Sequence, residues 1–70
     1  MSDADRAANF VCYVVGARLI GGDTVAQIVE HLEAECKKMA ATCAVNSISP
    51  LTMPLYVASK KAAEKLRSRC

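Results

Sequence analysis

Histidine and cysteine are the side chains best suited to nucleophilic or metal chemistry near neutral pH, and this sequence has few of them. They are one histidine and four cysteines: His31, Cys12, Cys36, Cys43 and Cys70. A catalytic thiol or histidine needs a partner within hydrogen-bond distance. The carboxylate that best shares the helical face of His31 is Glu35, four residues on. A glycine-rich phosphate loop is absent, because Gly21-Gly22 stands alone. We therefore expect a protein that is not an enzyme.

The cysteine spacing argues against a metal centre. The gaps of 24, 7 and 27 residues include no C-x-x-C pair. On a helix, Cys36 and Cys43 would be separated by about 10 Å of helical rise, which is too far for two ligands of one zinc ion. We expect no metal and no cofactor, and we interpret the thiols as small apolar side chains. The spacing leaves open whether any of them forms a disulfide.

Length and composition favour one small folded domain, covering residues 1–70. Apolar residues make up 53% of the chain and charged residues 23%, which is unlike a disordered segment. The start of the chain is acidic and polar, unlike a secretory signal. The apolar run from Phe10 to Ile20 contains Arg18 and is shorter than the ~20 residues of a membrane span. We expect a soluble, cytoplasmic protein without membrane contact.

Turn-forming residues at 21–23 and 46–50 divide the chain into three segments. The β-branched and aromatic residues at 10–15 favour a strand, but no second segment could pair with it. The fold class predicted is therefore all-α, a small three-helix domain. Its helices are expected at about residues 3–20, 24–45 and 53–69.

Capping residues mark the ends of these helices. Ser2 is a suitable N-cap for the first helix. Asp23 or Thr24 is expected to cap the second, and Thr24 with Gln27 fits a capping box. Gly21 is expected to take the left-handed conformation that ends the first helix. Pro54 fits the first turn of the third helix.

The second helix has the clearest apolar stripe. Its members recur at steps of three and four residues, and they are Val25, Ile28, Val29, Leu32, Cys36, Met39, Ala40 and Cys43. The opposite face is polar, and Glu33 and Lys37 are spaced to form an ion pair. The third helix has a narrower stripe, which consists of Leu55, Ala58, Ala62 and Leu66.

The first helix is apolar nearly all round, which predicts assembly. A helix of this kind should be buried on most sides, and two other helices can cover only part of it. The exposed remainder indicates a homo-oligomer with the first helix at its centre, or a surface for another protein. The remaining alternative is a monomer whose first helix is more buried than this pattern suggests. The residues expected at this interface are Phe10, Val11, Tyr13, Val14 and Ala17.

Charge is distributed unevenly along the chain. Residues 1–36 hold six acidic and two basic side chains, and residues 37–70 hold one acidic and seven basic ones. The basic residues of the third helix could bind phosphates, or they could be solvated cations that complement the helix dipole. A third reading is that the acidic and basic halves pair, within or between chains. The candidate anion-binding residues are Lys60, Lys61, Lys65, Arg67 and Arg69.

These observations favour a non-enzymatic protein that binds a macromolecular partner, as a regulator, inhibitor or adaptor. Small proteins of phages and other mobile elements often have this make-up. The alternative is a protein that binds nucleic acid or an anionic nucleotide through the third helix.

Overall fold

The computed structural model describes residues 2–68, and within them the chain forms three α-helices and no strand. The helices are α1 (Asp3–Ile20), α2 (Val25–Val45) and α3 (Pro54–Ser68), and a single 3₁₀ turn, Pro50–Thr52, precedes α3. The all-α, three-helix prediction is thus confirmed. The predicted ends of the helices differ by one residue at Val25 and at Pro54, and Arg69 lies outside the described residues.

The helix ends follow local hydrogen bonding. The Ser2 hydroxyl accepts from the amide of Asp5, and Thr24 and Gln27 form the predicted capping box. The end of α1 requires a correction, because Gly21 has right-handed angles and Gly22 takes the positive φ of 98°. The Asp23 amide donates to the Arg18 carbonyl and the Gly22 amide to the Leu19 carbonyl. This pair of bonds makes Gly22 the left-handed residue of a Schellman motif.

The third helix lies at the centre of the chain. It packs along both α1 and α2, whereas α1 and α2 touch each other at few positions. The core consists of Val11, Ile28, Val29, Leu32 and Ala63. Within one chain, α3 and not α1 is therefore the helix with neighbours on two sides.

The predicted stripe of α2 agrees with the packing. Each of its eight residues is buried or half-buried, and the side chain of Ile28 is fully buried. On α3 the predicted Ala58, Ala62 and Leu66 are half-buried against the core, whereas Leu55 is on the exposed side. The most buried residues of α3 are Ser59 and Ala63. Small side chains at these two positions let α3 approach both neighbours closely.

Candidate interaction surface

An exposed apolar ridge runs along α1. Its members are Phe10, Tyr13, Ala17 and Ile20, spaced by three or four residues so that they share one side of the helix. Phe10 is 56% exposed, Tyr13 74% and Ile20 91%. We call these four residues the α1 ridge. A contiguous apolar surface of this kind is typical of an interaction site.

Three of the predicted interface residues lie on the ridge, and two do not. Phe10, Tyr13 and Ala17 are exposed. Val14 is half-buried beside them. Val11 is 3% exposed and belongs to the core formed with Ile28 and Leu32. The prediction that Val11 lies at an interface is therefore wrong, because its side chain is already buried within one chain.

A groove adjoins the ridge. Phe10 and Val14 form one wall, His31 and Met39 of α2 form the other, and Leu55 of α3 lies within the same groove. Its volume is about 190 Å³. The groove extends the apolar surface from α1 towards α2.

The histidine beside this groove has a structural partner. The Arg18 guanidinium donates through Nη1 to Oδ2 of Asp23 at 2.8 Å, and its Nη2 lies 3.1 Å from Nδ1 of His31. Because a guanidinium can only donate, Nδ1 is the acceptor in this contact. The contact connects the last turn of α1 to α2. The sequence pattern suggested Glu35 as the neighbour of His31 and did not indicate Arg18, which is distant in sequence.

The described thiols do not pair with this histidine. The Cys36 thiol donates to the carbonyl of Tyr56 across 3.9 Å, and the buried Cys43 thiol contacts the sulfur of Met53. Burial raises the pKa of the Cys36 thiol above its ordinary value; nearby Lys60 lowers it and Glu35 raises it. A thiol with a raised pKa stays protonated at neutral pH and is a poor nucleophile.

In residues 2–68 no three side chains of His, Cys, Asp or Glu come together in a way that could hold a metal ion. Cys12, Cys36 and Cys43 are free thiols. Cys70 lies outside the described residues.

The candidate anion-binding residues do not form one uninterrupted patch. Arg67 forms an ion pair with Glu33 of α2. The ammonium of Lys60 lies 5.8 Å from the centre of the Tyr56 ring. Lys61 and Lys65 line a separate groove, on the side of α1. The pairing of Arg67 with Glu33 joins the basic and acidic halves within one chain, in place of the expected Glu33–Lys37 pair.

A cleft between α2 and α3 is lined by three cationic side chains, of which two are candidate anion-binding residues of α3. Lys37 of α2 lies in the same cleft as Lys60 and Arg67, next to Tyr56, and the volume is about 280 Å³. Glu33 and Glu64 line it too and offset part of the positive charge. Sequence reasoning missed Lys37 and Tyr56, because only the packing of α2 on α3 brings them together.

Comparison with known proteins does not assign a function. The chain matches no protein-family profile, no characterised protein sequence and no solved structure.

The three helices are unlike membrane-spanning segments. Over the described part of the chain, none combines the length and apolar content needed to cross a bilayer.

Proposed function

We propose that this chain is a non-enzymatic helical binding protein that self-associates through the α1 ridge. In this proposal it acts by occupying a surface of a larger macromolecule, as a regulator, inhibitor or adaptor does. The observation that carries the proposal is the exposure of Phe10, Tyr13 and Ile20 on one side of α1. Fully burying an exposed large apolar side chain contributes about 1.5–3 kcal/mol, and covering these partly exposed side chains contributes correspondingly less.

The ridge has a pattern that can pair with itself. If two α1 helices pack antiparallel around a twofold axis between Tyr13 and Val14, Phe10 of each copy lies opposite Ala17 of the other. A large side chain then faces a small one, as interlocking helices require. A twofold interface uses the same patch on both subunits, and the ridge satisfies that condition.

The surface of the chain is large for its mass. It exposes 4969 Å², whereas a compact protein of 7.5 kDa exposes about 4250 Å². Its radius of gyration is 12.3 Å, against about 11 Å for a compact chain of this length. A standard interface covers about 800 Å² on each partner. This area is similar to the excess surface of the chain.

Native mass spectrometry of the reduced protein tests this proposal. We expect a dimer or a larger assembly that dissociates on dilution. A single subunit at concentrations up to the high micromolar range would contradict self-association. Multi-angle light scattering under the same conditions provides an independent measurement of mass.

A second candidate function is the binding of a nucleotide or nucleic acid. The observation that favours it is the position of Lys37, Lys60 and Arg67 around the α2–α3 cleft, beside an aromatic ring. Cations bind phosphates, and an aromatic ring can stack on a base. A labelled single-stranded oligonucleotide should bind at low salt and dissociate steeply as salt rises. Absence of binding at low salt, for the oligonucleotide and for a labelled nucleoside triphosphate, would exclude this candidate.

A further inference from the structure

A second apolar groove lies between α1 and α3, on the flank of α1 away from the ridge. It consists of two adjoining cavities of about 520 and 300 Å³ that share the accessible Cys12, Ala62 and Lys65 as lining residues, together with Val11, whose side chain is buried. We call it the α1–α3 groove. Along α1 it extends from Ala8 to Leu19, about 16 Å or three helical turns. This length is suited to one short helix.

Gly16 lies in this groove at the middle of α1. Glycine inside a helix costs about 1 kcal/mol relative to alanine, so its presence calls for a packing reason. Within the chain there is none, because a Cβ added at Gly16 meets nothing within 4 Å. The open space in front of this backbone would allow another helix to approach α1 closely.

The rim of the groove is charged on one side only. Lys61 and Lys65 line the α3 side, together with one carboxylate, Glu64. The α1 side contributes no charged residue to the lining. In the described part of the chain neither lysine forms an ion pair. An occupant with carboxylates along one edge would complement this rim.

We propose that the α1–α3 groove binds an amphipathic α-helix of another protein, with an apolar face and acidic residues along one edge. This helix-in-groove mode places apolar residues at steps of three and four against the floor. The proposal rests on the proposed function, because it specifies the partner of the binding protein. A second copy of α1 does not match this description, because the chain has no carboxylate between Asp5 and Asp23. The apolar part of α1 therefore has no acidic edge to place against the lysines.

The test uses a synthetic peptide of about 18 residues, or five helical turns, with leucine on one face and glutamate along both flanks. A matched peptide carries lysine in place of each glutamate. Fluorescence anisotropy of the labelled peptides at low salt should show at least ten-fold tighter binding of the glutamate peptide. Equal binding of the two peptides, or no binding of either, would overturn the proposal.

Two variants locate the binding site. Gly16→Leu fills the groove with a helix-favouring side chain and should abolish binding, while circular dichroism shows an unchanged fold. The double variant Lys61→Glu/Lys65→Glu should weaken binding of the glutamate peptide at least ten-fold. Arg6→Glu/Lys38→Glu, with the same change in net charge at two exposed residues outside the groove, should bind as the unmodified protein does. Unchanged binding by Gly16→Leu would overturn the location.

Native mass spectrometry separates this proposal from self-association. Gly16→Leu should keep the mass of the unmodified assembly, because Gly16 is not part of the ridge. A change of mass would mean that a second copy occupies the groove, and it would overturn the proposal. If the chain assembles but the glutamate peptide does not bind, this inference fails and the proposed self-association stands.

Discussion

Nη2 of Arg18 lies 3.1 Å from Nδ1 of His31, and this contact joins the last turn of α1 to the first half of α2. The same guanidinium holds Asp23 in the turn between the two helices. Because α1 and α2 have few other contacts, these polar groups help fix the angle between them. The histidine therefore contributes to the arrangement of the helices, and its acceptor nitrogen is already in use.

Removal of this contact should lower stability. Arg18→Ala leaves His31 and Asp23 without their donor, and we expect a loss of about 1 kcal/mol, since all three side chains are partly solvated. Urea unfolding followed by far-ultraviolet circular dichroism measures it. Arg6→Ala, an exposed arginine of the same helix, is the control and should change little. In a double-mutant cycle with His31→Ala, strictly additive effects would contradict a direct interaction.

Two residues with positive φ should respond to substitution in opposite directions. Ser47 has a φ of 56° at the end of α2, and Gly22 has a φ of 98° after α1. A left-handed conformation costs a residue with a Cβ about 1–2 kcal/mol. We expect Ser47→Gly to stabilise the protein by about 1 kcal/mol and Gly22→Ala to destabilise it by at least as much. Thermal unfolding compares them, and a stabilising Gly22→Ala would contradict the assigned backbone angles.

Thiol reactivity should distinguish Cys36 from Cys12. Burial raises the pKa of Cys36, so its alkylation by iodoacetamide should begin at a higher pH than that of an ordinary thiol. Cys12 is exposed and should be modified first at neutral pH. Mass spectrometry of digested protein after short labelling pulses gives both rates, and faster labelling of Cys36 than of Cys12 at pH 7 would contradict the prediction.

The raised pKa also links Cys36 to stability. Below the ordinary thiol range, Cys36 is protonated in both the folded and the unfolded chain. As pH rises, the unfolded chain releases its proton first, so stability falls as the pH passes from the ordinary pKa to the raised one. Cys36→Ala should reduce this alkaline loss, which unfolding measurements between pH 7 and 10 detect. An unchanged pH profile in Cys36→Ala would exclude Cys36 as its source.

How much of this arrangement follows from sequence depends on the helix. In α2, apolar and polar residues occupy opposite sides, so the pattern predicted which residues are buried. In α1 they do not, and the sequence could not distinguish the buried Val11 from the exposed Phe10. The sequence also did not indicate that α3 packs between the other two helices, because the buried residues of α3 are the small Ser59 and Ala63. Small side chains signal close packing only weakly in a sequence.

The candidate surfaces could be predicted only in part. Phe10, Tyr13 and Ala17 followed from an excess of apolar residues on α1. The groove at Gly16 and the grouping of Lys37 with Arg67 depend on how α3 packs against each neighbour. These are contacts between residues distant in sequence, and the periodicity within one helix carries no information about them.

The α1 ridge gives the most direct prediction about assembly. Phe10→Asp should dissociate the assembly, because a carboxylate would be buried against an apolar surface. A half-exposed phenylalanine contributes about 1.5 kcal/mol on burial. A twofold interface contains Phe10 from both subunits and loses this contribution twice. Association should therefore weaken by about 3 kcal/mol, or more than 100-fold. Sedimentation velocity over a range of concentrations measures this change.

A matched variant separates the ridge from general effects of charge on assembly. Leu51→Asp introduces the same carboxylate at a side chain that is 72% exposed and lies outside α1, and it should assemble as the unmodified protein does. Tyr13→Asp should behave as Phe10→Asp does, and its greater exposure reduces any effect on folding. Circular dichroism establishes that all three variants remain helical. If Phe10→Asp and Tyr13→Asp keep the assembled mass, the ridge is not the interface; if Leu51→Asp dissociates equally, the effect is one of charge and not of position.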